Sequence, residues 1–285
     1  MPHNEMNPFP RIFPRIAVLG TGAMGGAIIR GLVNADVTLS DGISISGHWS
    51  RQMQEFADLP GIDAFDAKLD PDANNKAVQG AGIIILALKP HLTAHVLREV
   101  SGSVAEGTIV ISVAAGITTT TIEAHLPASV SVVRVMPNMP ALVGKGVTGI
   151  CAGTRSTGED MAIAEALFQT VGSVLTVPES QLDQLTSISG SGPAYVFYLI
   201  EQLTTVAEHL GFTPEQASAL VNGTFIGACG LLAASEKSPQ ELRQLVTSPK
   251  GTTAAAVSVL ENGNVRELFE RAAGAAVRRA KDLAG

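Results

Sequence analysis

Three glycines, Gly20, Gly22 and Gly25, stand in the stretch GTGAMGG (20–26), directly after the apolar run RIAVLG (15–20). G-x-G-x-x-G between a strand and a helix is the pattern that binds a dinucleotide pyrophosphate. Gly20 permits the tight turn, Gly22 lets the backbone approach the phosphates, and Gly25 lets helix and strand pack closely. The helix N-terminus then holds the negative charge on its free N–H groups. Thr21, Ala23 and Met24 complete this candidate cofactor loop. A second cluster lies far downstream: VTSPKGTT (246–253) gathers backbone N–H groups and hydroxyls where a helical segment, AAAVSVLE, begins. Such a start carries partial positive charge without a bulky side chain, which suits a small anion.

The choice of dinucleotide is read at the end of the second strand. That stretch is ISISGHWSRQ (43–52), with no carboxylate before Glu55 to bind ribose hydroxyls. Ser46, His48, Ser50 and Arg51 offer donors instead, and the fork of Arg51 suits a 2′-phosphate. NADPH is favoured, with NADH as the lesser option.

These groups need strands and helices to hold them. Apolar, β-branched runs at 15–20, 43–47, within 81–90, within 108–117, within 129–140, at 146–153 and at 173–178 alternate with helical stretches, the first from about Met24 to Asn34. That alternation predicts a mostly parallel sheet covered on both faces. After 177 the strands cease and helical periodicity takes over. The stretch 211–235 opens on Thr213–Pro214, an N-cap and a proline at the first helical position. It is glycine-rich and apolar around most of its circumference, so it must be buried on several sides. A second subunit supplies that burial, and the expectation is an intertwined dimer. The boundaries read 1–177 and 178–285.

The bulk properties narrow the partners. Net charge is −7 with no basic run, which argues against nucleic acid. The segment MPHNEMNPFPRIFPR (1–15) has four prolines and no apolar core, so neither a leader nor a membrane span is expected there. No other stretch reads as a span, and the expected location is the cytoplasm. Cys151 and Cys229 read as small buried hydrophobes in a reducing compartment. The histidines show no metal-like grouping, and no metal is expected.

In their order and spacing, GTGAMG (20–25), ILALKP (85–90), SVAAGI (112–117), RVMPNMP (134–140), LTSISGSGPAYVF (185–197) and VTSPKGTT (246–253) make the chain resemble pyrroline-5-carboxylate reductase from about Ile16 to its C-terminus. The resemblance implies an α/β N-terminal Rossmann domain, mostly parallel, followed by an all-α C-terminal dimerisation domain. It implies NAD(P)H-dependent reduction of a small anionic cyclic imine, the last step of proline biosynthesis. The active site would lie between the Rossmann domain of one subunit and helices of the dimer domain. Larger rings of dimers occur in the family, and the sequence leaves the ring size open.

The resemblance also assigns residues. Amides of Lys250, Gly251 and Thr252, with the Ser248 hydroxyl nearby, would cradle the substrate carboxylate. Thr253 would hydrogen-bond the ring nitrogen and is the catalytic candidate. Thr186 and Glu179 would lie near the substrate. Ala87, Leu88, Lys89 and Pro90, with Ala115, Gly116, Asn138 and Asn75, would line the cofactor crevice. Lys89 reads as an ion-pair partner rather than a catalyst. Lys250 stands where the family more often has glycine, and Met139 where it has threonine. Two alternatives are a β-hydroxyacid-dehydrogenase-like oxidoreductase and a catalytically inactive dinucleotide-binding protein. The first needs a lysine at the start of its second domain, and 186–210 contains none.

Overall fold

Strand parity decides how the first half of the chain packs. In the computed structural model, which describes residues 12–35, 37–48 and 50–284, Ile83 and Ile85 enter one apolar cluster, and Ile84 and Leu86 enter another on the opposite face. Side chains of a strand alternate between faces, so an unbroken apolar run requires cover on both. The reading of residues 1–11 as free of a leader lies outside the described residues.

In chain order the elements are β1 (Ile12–Phe13), β2 (Ile16–Leu19), α1 (Ala23–Asn34), β3 (Thr38–Leu39), β4 (Ile43–Gly47), α2 (Arg51–Ala57) and β5 (Ile62–Asp66). There follow α3 (Ala73–Val78), β6 (Ile83–Leu86), α4 (Pro90–Val100), β7 (Ile109–Ser112), α5 (Thr119–Glu123) and β8 (Ser131–Met136). A 3₁₀ turn (Met139–Val143) leads to β9 (Gly146–Ala152), α6 (Gly158–Gln169) and β10 (Gly172–Thr176). Eight strands form one sheet in the order β10-β9-β8-β7-β6-β2-β4-β5. All its pairings are parallel except β8 with β9. β1 and β3 form a separate parallel pair.

One core cluster joins Ile16, Val18, Ile43, Ile45 and Ile111 to Ile28, Leu32 and Phe168 of α1 and α6. The other joins Ala17, Leu19, Val110 and Val132 to Ala77, Leu97 and Ile122 of α3, α4 and α5. This is the Rossmann-like α/β architecture expected, with every strand expected from the sequence in place. β5 was not expected. Its sequence, IDAFD, is only partly buried at the sheet edge, so it lacks the apolar run that marks the inner strands.

No strand follows Thr176 among the described residues. A 3₁₀ turn (Glu179–Gln181), α7 (Leu182–Leu185) and a π-helical turn (Thr186–Gly190) come first, then α8 (Gly192–His209), α9 (Pro214–Ala233), α10 (Pro239–Leu245), α11 (Thr252–Asn262) and α12 (Val265–Ala284). By its contacts the chain forms two compact units, one through Gly190 with the end from Val277, the other Ser191–Ala276.

In the second unit, Thr213 and Ser238 each cap a helix through a capping box, with Pro214 and Pro239 at the first turn. Its buried cluster is small: Ala207, Ala217 and Val221, with Ile200 and Phe225 against them. Contrary to the sequence reading, α9 is long and apolar enough to cross a membrane by length and composition. Its glycines interrupt the apolar run without lowering the average enough. Cys229 on α9 is exposed in the single chain, also against expectation, while Cys151 is buried.

Candidate active site

The parallel run β4-β2-β6-β7-β8 brings the C-terminal ends of five strands to one edge of the sheet, where ligands bind in open α/β folds. Gly20 follows β2 with φ 101°, and a Cβ there would lie 2.4 Å from the Ala87 carbonyl oxygen. A Cβ on Gly25 would lie 2.0 Å from the Gly20 carbonyl oxygen. Both glycines are demanded by backbone approaching backbone. Gly22 differs, because a Cβ there would meet nothing within 4 Å. Its bare Cα faces open space at the start of α1, where no side chain caps the helix and no acid occupies the first turn. An open approach to uncapped amides is what a pyrophosphate requires, so the loop Gly20–Gly25 fits a dinucleotide.

The Gly20 N–H donates to the Ser46 carbonyl (2.8 Å), and the Ala87 N–H donates to the Leu19 carbonyl (2.8 Å). The loops carrying Ala87–Pro90 and Ala115–Gly116 therefore leave neighbouring strands at the same edge, with Gly116 at φ 75°. Sequence reading missed Gln52, whose amide donates to the Gly22 carbonyl at 3.3 Å.

The side chains of several expected cofactor residues meet other residues of the chain. Ser46 is fully buried, and its hydroxyl donates to Asn74 Oδ1 at 2.6 Å. Strand parity turns it to the α3 face with Ser44, whose hydroxyl bonds the Ala77 carbonyl. Asn75 was placed in the crevice, but its side chain meets Asp72 and Ser103. Its neighbour Asn74 is the one that reaches β4, while also donating to Glu99. Asn138 is buried; its amide donates to the Ser189 carbonyl (3.0 Å) and its carbonyl accepts from the Val147 N–H (2.8 Å). Lys89 is exposed and makes no ion pair among the described residues. Ser50 caps α2, and Arg51 is 95% exposed with Glu55 beside it, so its fork remains accessible.

Glu179 is tied down by three hydrogen bonds. Its Oε1 accepts from the Thr119 N–H (2.8 Å) and Arg134 Nη1 (3.0 Å), and Oε2 accepts from the Thr119 hydroxyl (2.8 Å). Burial works against its charge. The Thr119 N–H, the Arg134 guanidinium and the Thr119 hydroxyl outweigh that and hold the carboxyl below its ordinary value. Thr186 opens the π turn and donates to the Leu182 carbonyl at 2.7 Å. Cys151 lies opposite Arg134 in the β8–β9 register. Burial, with the Glu179 charge adding, pushes its thiol up to about 11, which leaves it inert near neutrality.

In the second unit, VTSPKGTT joins α10 to α11. Lys250 takes the left-handed conformation, φ 60°. Gly251 is the N-cap with extended backbone and no side-chain capping bond, leaving the first-turn amides of α11 without a side-chain acceptor. A Cβ on Gly251 would lie 2.4 Å from Ser248 Oγ, so any side chain there would turn the Ser248 hydroxyl aside. Thr252 and Thr253 are the first two helical residues.

Residues 179–283 match the family model for pyrroline-5-carboxylate reductase dimerisation, and residues 15–116 match that for NADP oxidoreductase, coenzyme F420-dependent. Pyrroline-5-carboxylate reductase of Corynebacterium melassecola is 37% identical over 271 residues, covering 94% of this chain and 98% of the relative. The chain belongs to the pyrroline-5-carboxylate reductase family. A solved reductase of this family from Coxiella burnetii, 38% identical, superposes with a TM-score of 0.85 over 94% of this chain and 97% of that one. A Plasmodium falciparum pyrroline carboxylate reductase with NADP bound, 25% identical, gives 0.79 over 96% and 98%. The chain is thus an NAD(P)H-dependent oxidoreductase of proline biosynthesis, carrying the family's dimerisation domain.

Proposed function

We propose that this reductase converts 1-pyrroline-5-carboxylate to L-proline with NADPH as preferred reductant, and that the division of labour falls near residue 177. Residues 1–177 hold the dinucleotide: Gly20–Gly25 at the pyrophosphate, Arg51 at the 2′-phosphate, and the backbone of Ala87–Pro90 and Ala115–Gly116 toward the nicotinamide. Residues 178–285 build a homodimer and hold the substrate. Bound NADPH supplies the hydride.

The carrying observation is the uncapped start of α11. Amides of Lys250 and Thr252 receive the carboxylate, with the Ser248 and Thr252 hydroxyls beside them; the Gly251 N–H, expected to join them, donates instead to the Ser248 carbonyl at 3.0 Å and closes the turn. The Thr253 hydroxyl holds the ring nitrogen. A threonine hydroxyl is a poor acid, so substrate entering as its iminium leaves the chain only orientation to provide. Cytoplasmic placement suits two unpaired cysteines.

The test is NADPH consumption with racemic pyrroline-5-carboxylate. Thr253→Ala is expected to lower kcat/KM by roughly tenfold to a hundredfold, the loss of a hydrogen bond to a charged group. Arg51→Ala is expected to raise KM for NADPH by about tenfold and leave NADH nearly unchanged. A Thr253 variant with wild-type kcat/KM overturns the substrate assignment. An Arg51 variant affecting both reductants equally overturns the phosphate assignment.

A further inference from the structure

The segment 179–190, which carries Thr186, is fastened by polar groups at both ends. At its start Glu179 is held by Arg134 Nη1 at 3.0 Å and by both donors of Thr119. Arg134 Nη2 also faces Asp183 Oδ1 at 3.8 Å. At its end the Ser189 carbonyl is held by the Asn138 amide. Arg134 and Asn138 belong to one stretch of backbone, β8 and its extension, so the two tethers share a rigid base. Between them runs a π-helical turn, a form that occurs mostly as single turns and often at functional sites.

Energetics argue that this arrangement fixes geometry more than it adds stability. The Arg134 side chain is 7% exposed, and burying an ion pair gives little net stabilisation over apolar packing of the same volume. What a guanidinium and a three-donor carboxylate site do provide is one fixed separation and orientation. Apolar contacts also hold α7: a Cβ on Gly149 would lie 2.5 Å from Leu185 Cδ1. The polar tethers add a set position along the chain direction, which packing alone leaves loose.

We propose that Arg134, Glu179 and Asn138 are positioning residues for the reduction, acting through the turn Thr186–Gly190 and touching neither substrate nor cofactor. This rests on the reading that Thr186 stands at the substrate. It moves Glu179 out of the substrate-binding set and Asn138 out of the cofactor set.

The test uses Glu179→Gln, Arg134→Met, the double variant, and Arg134→Lys, which keeps the charge where Arg134→Met fails to fold. Steady-state kinetics with NADPH and racemic pyrroline-5-carboxylate is paired with NADPH titration and amide hydrogen exchange. Each single variant should lower kcat by roughly tenfold to a hundredfold, the effect of a displacement near 1 Å. The double variant should be no worse than the poorer single one, because both break one linkage. Arg134→Lys should recover part of the loss, NADPH affinity should hold within about twofold, and amides 186–190 should exchange at least about tenfold faster.

A rise in KM for the imine confined to Glu179→Gln, multiplying with the Arg134 effect, would show direct substrate contact and overturn the proposal. Unchanged exchange with kcat lost overturns it at the tether. Faster exchange with kcat intact overturns it at the placement of Thr186, leaving the tether itself standing.

Discussion

Lys250 adopts φ 60° at the turn into α11, a conformation that costs an L-residue with a Cβ about 1–2 kcal/mol relative to the right-handed one. Glycine, commoner here in the family, adopts it freely but loses more entropy on folding. Lys250→Gly is therefore expected to raise stability by about 0.5–1 kcal/mol, read as a higher denaturation midpoint. An exposed cation beside an anion contributes less than about 1 kcal/mol, so KM for the imine should rise only about twofold. A larger rise would mean the lysine charge, and not the amides, carries the carboxylate. Glu179 gives a pH signature at the same scale. Its folded pKa lies below the ordinary glutamate value of 4.5, so its stabilisation is fully present above that value and lost as pH falls through the folded pKa. Glu179→Gln should flatten that limb in acid denaturation followed by circular dichroism, and an unchanged limb would refute the assignment.

Helix α1 meets β2 at a distance set by Gly25, whose added Cβ would sit 2.0 Å from a backbone oxygen that cannot rotate away. Gly25→Ala must shift the helix start, at a cost of about 1–3 kcal/mol. Because the shift moves the amides that face the pyrophosphate, NADPH affinity should fall more than tenfold, roughly, by titration. Tight binding by the variant would argue that the phosphates lie elsewhere. This element was legible in the sequence because its demand is local: strand, glycine spacing and helix stand next to one another. The inner strands were legible for the same reason, their apolar runs being the imprint of cover on two faces. The side-chain directions of Ser46 and Asn138 were not legible, because a motif names a residue without saying which way it turns. Strand parity sends Ser46 inward, and Asn138 is drawn to Ser189, 51 positions away. Arg134 carried a signal that went unused, a lone basic residue in the otherwise apolar strand SVVRVM. Its partners, Glu179 and Asp183, are distant in sequence, and nothing short of the fold brings them together.

A single copy of the chain leaves a large apolar surface on its second unit: Ile226 is 73% exposed, Val259 71% and Phe197 65%. Apolar area on that scale marks an interface, and the segment belongs to the family's dimerisation domain. α9 has one charged residue, Glu215, in its first turn, so little polar surface limits how its remaining circumference is covered. If copies of the chain cover α9, folding and association are linked, and the melting temperature must rise with protein concentration. Ile226→Glu would place an unpaired carboxylate in that contact, a penalty of several kcal/mol. The expected outcome is a shift toward monomer in sedimentation velocity, a melting temperature lower than wild type at every concentration, and loss of imine reduction while NADPH titration stays intact. The last pair of readouts carries the argument. The first unit builds its own sheet, core and glycine loop, so it should keep its ligand when the second unit loses its partner. A variant that stays a full oligomer would place Ile226 outside the contact. One that loses NADPH as well would mean the dinucleotide loop depends on assembly.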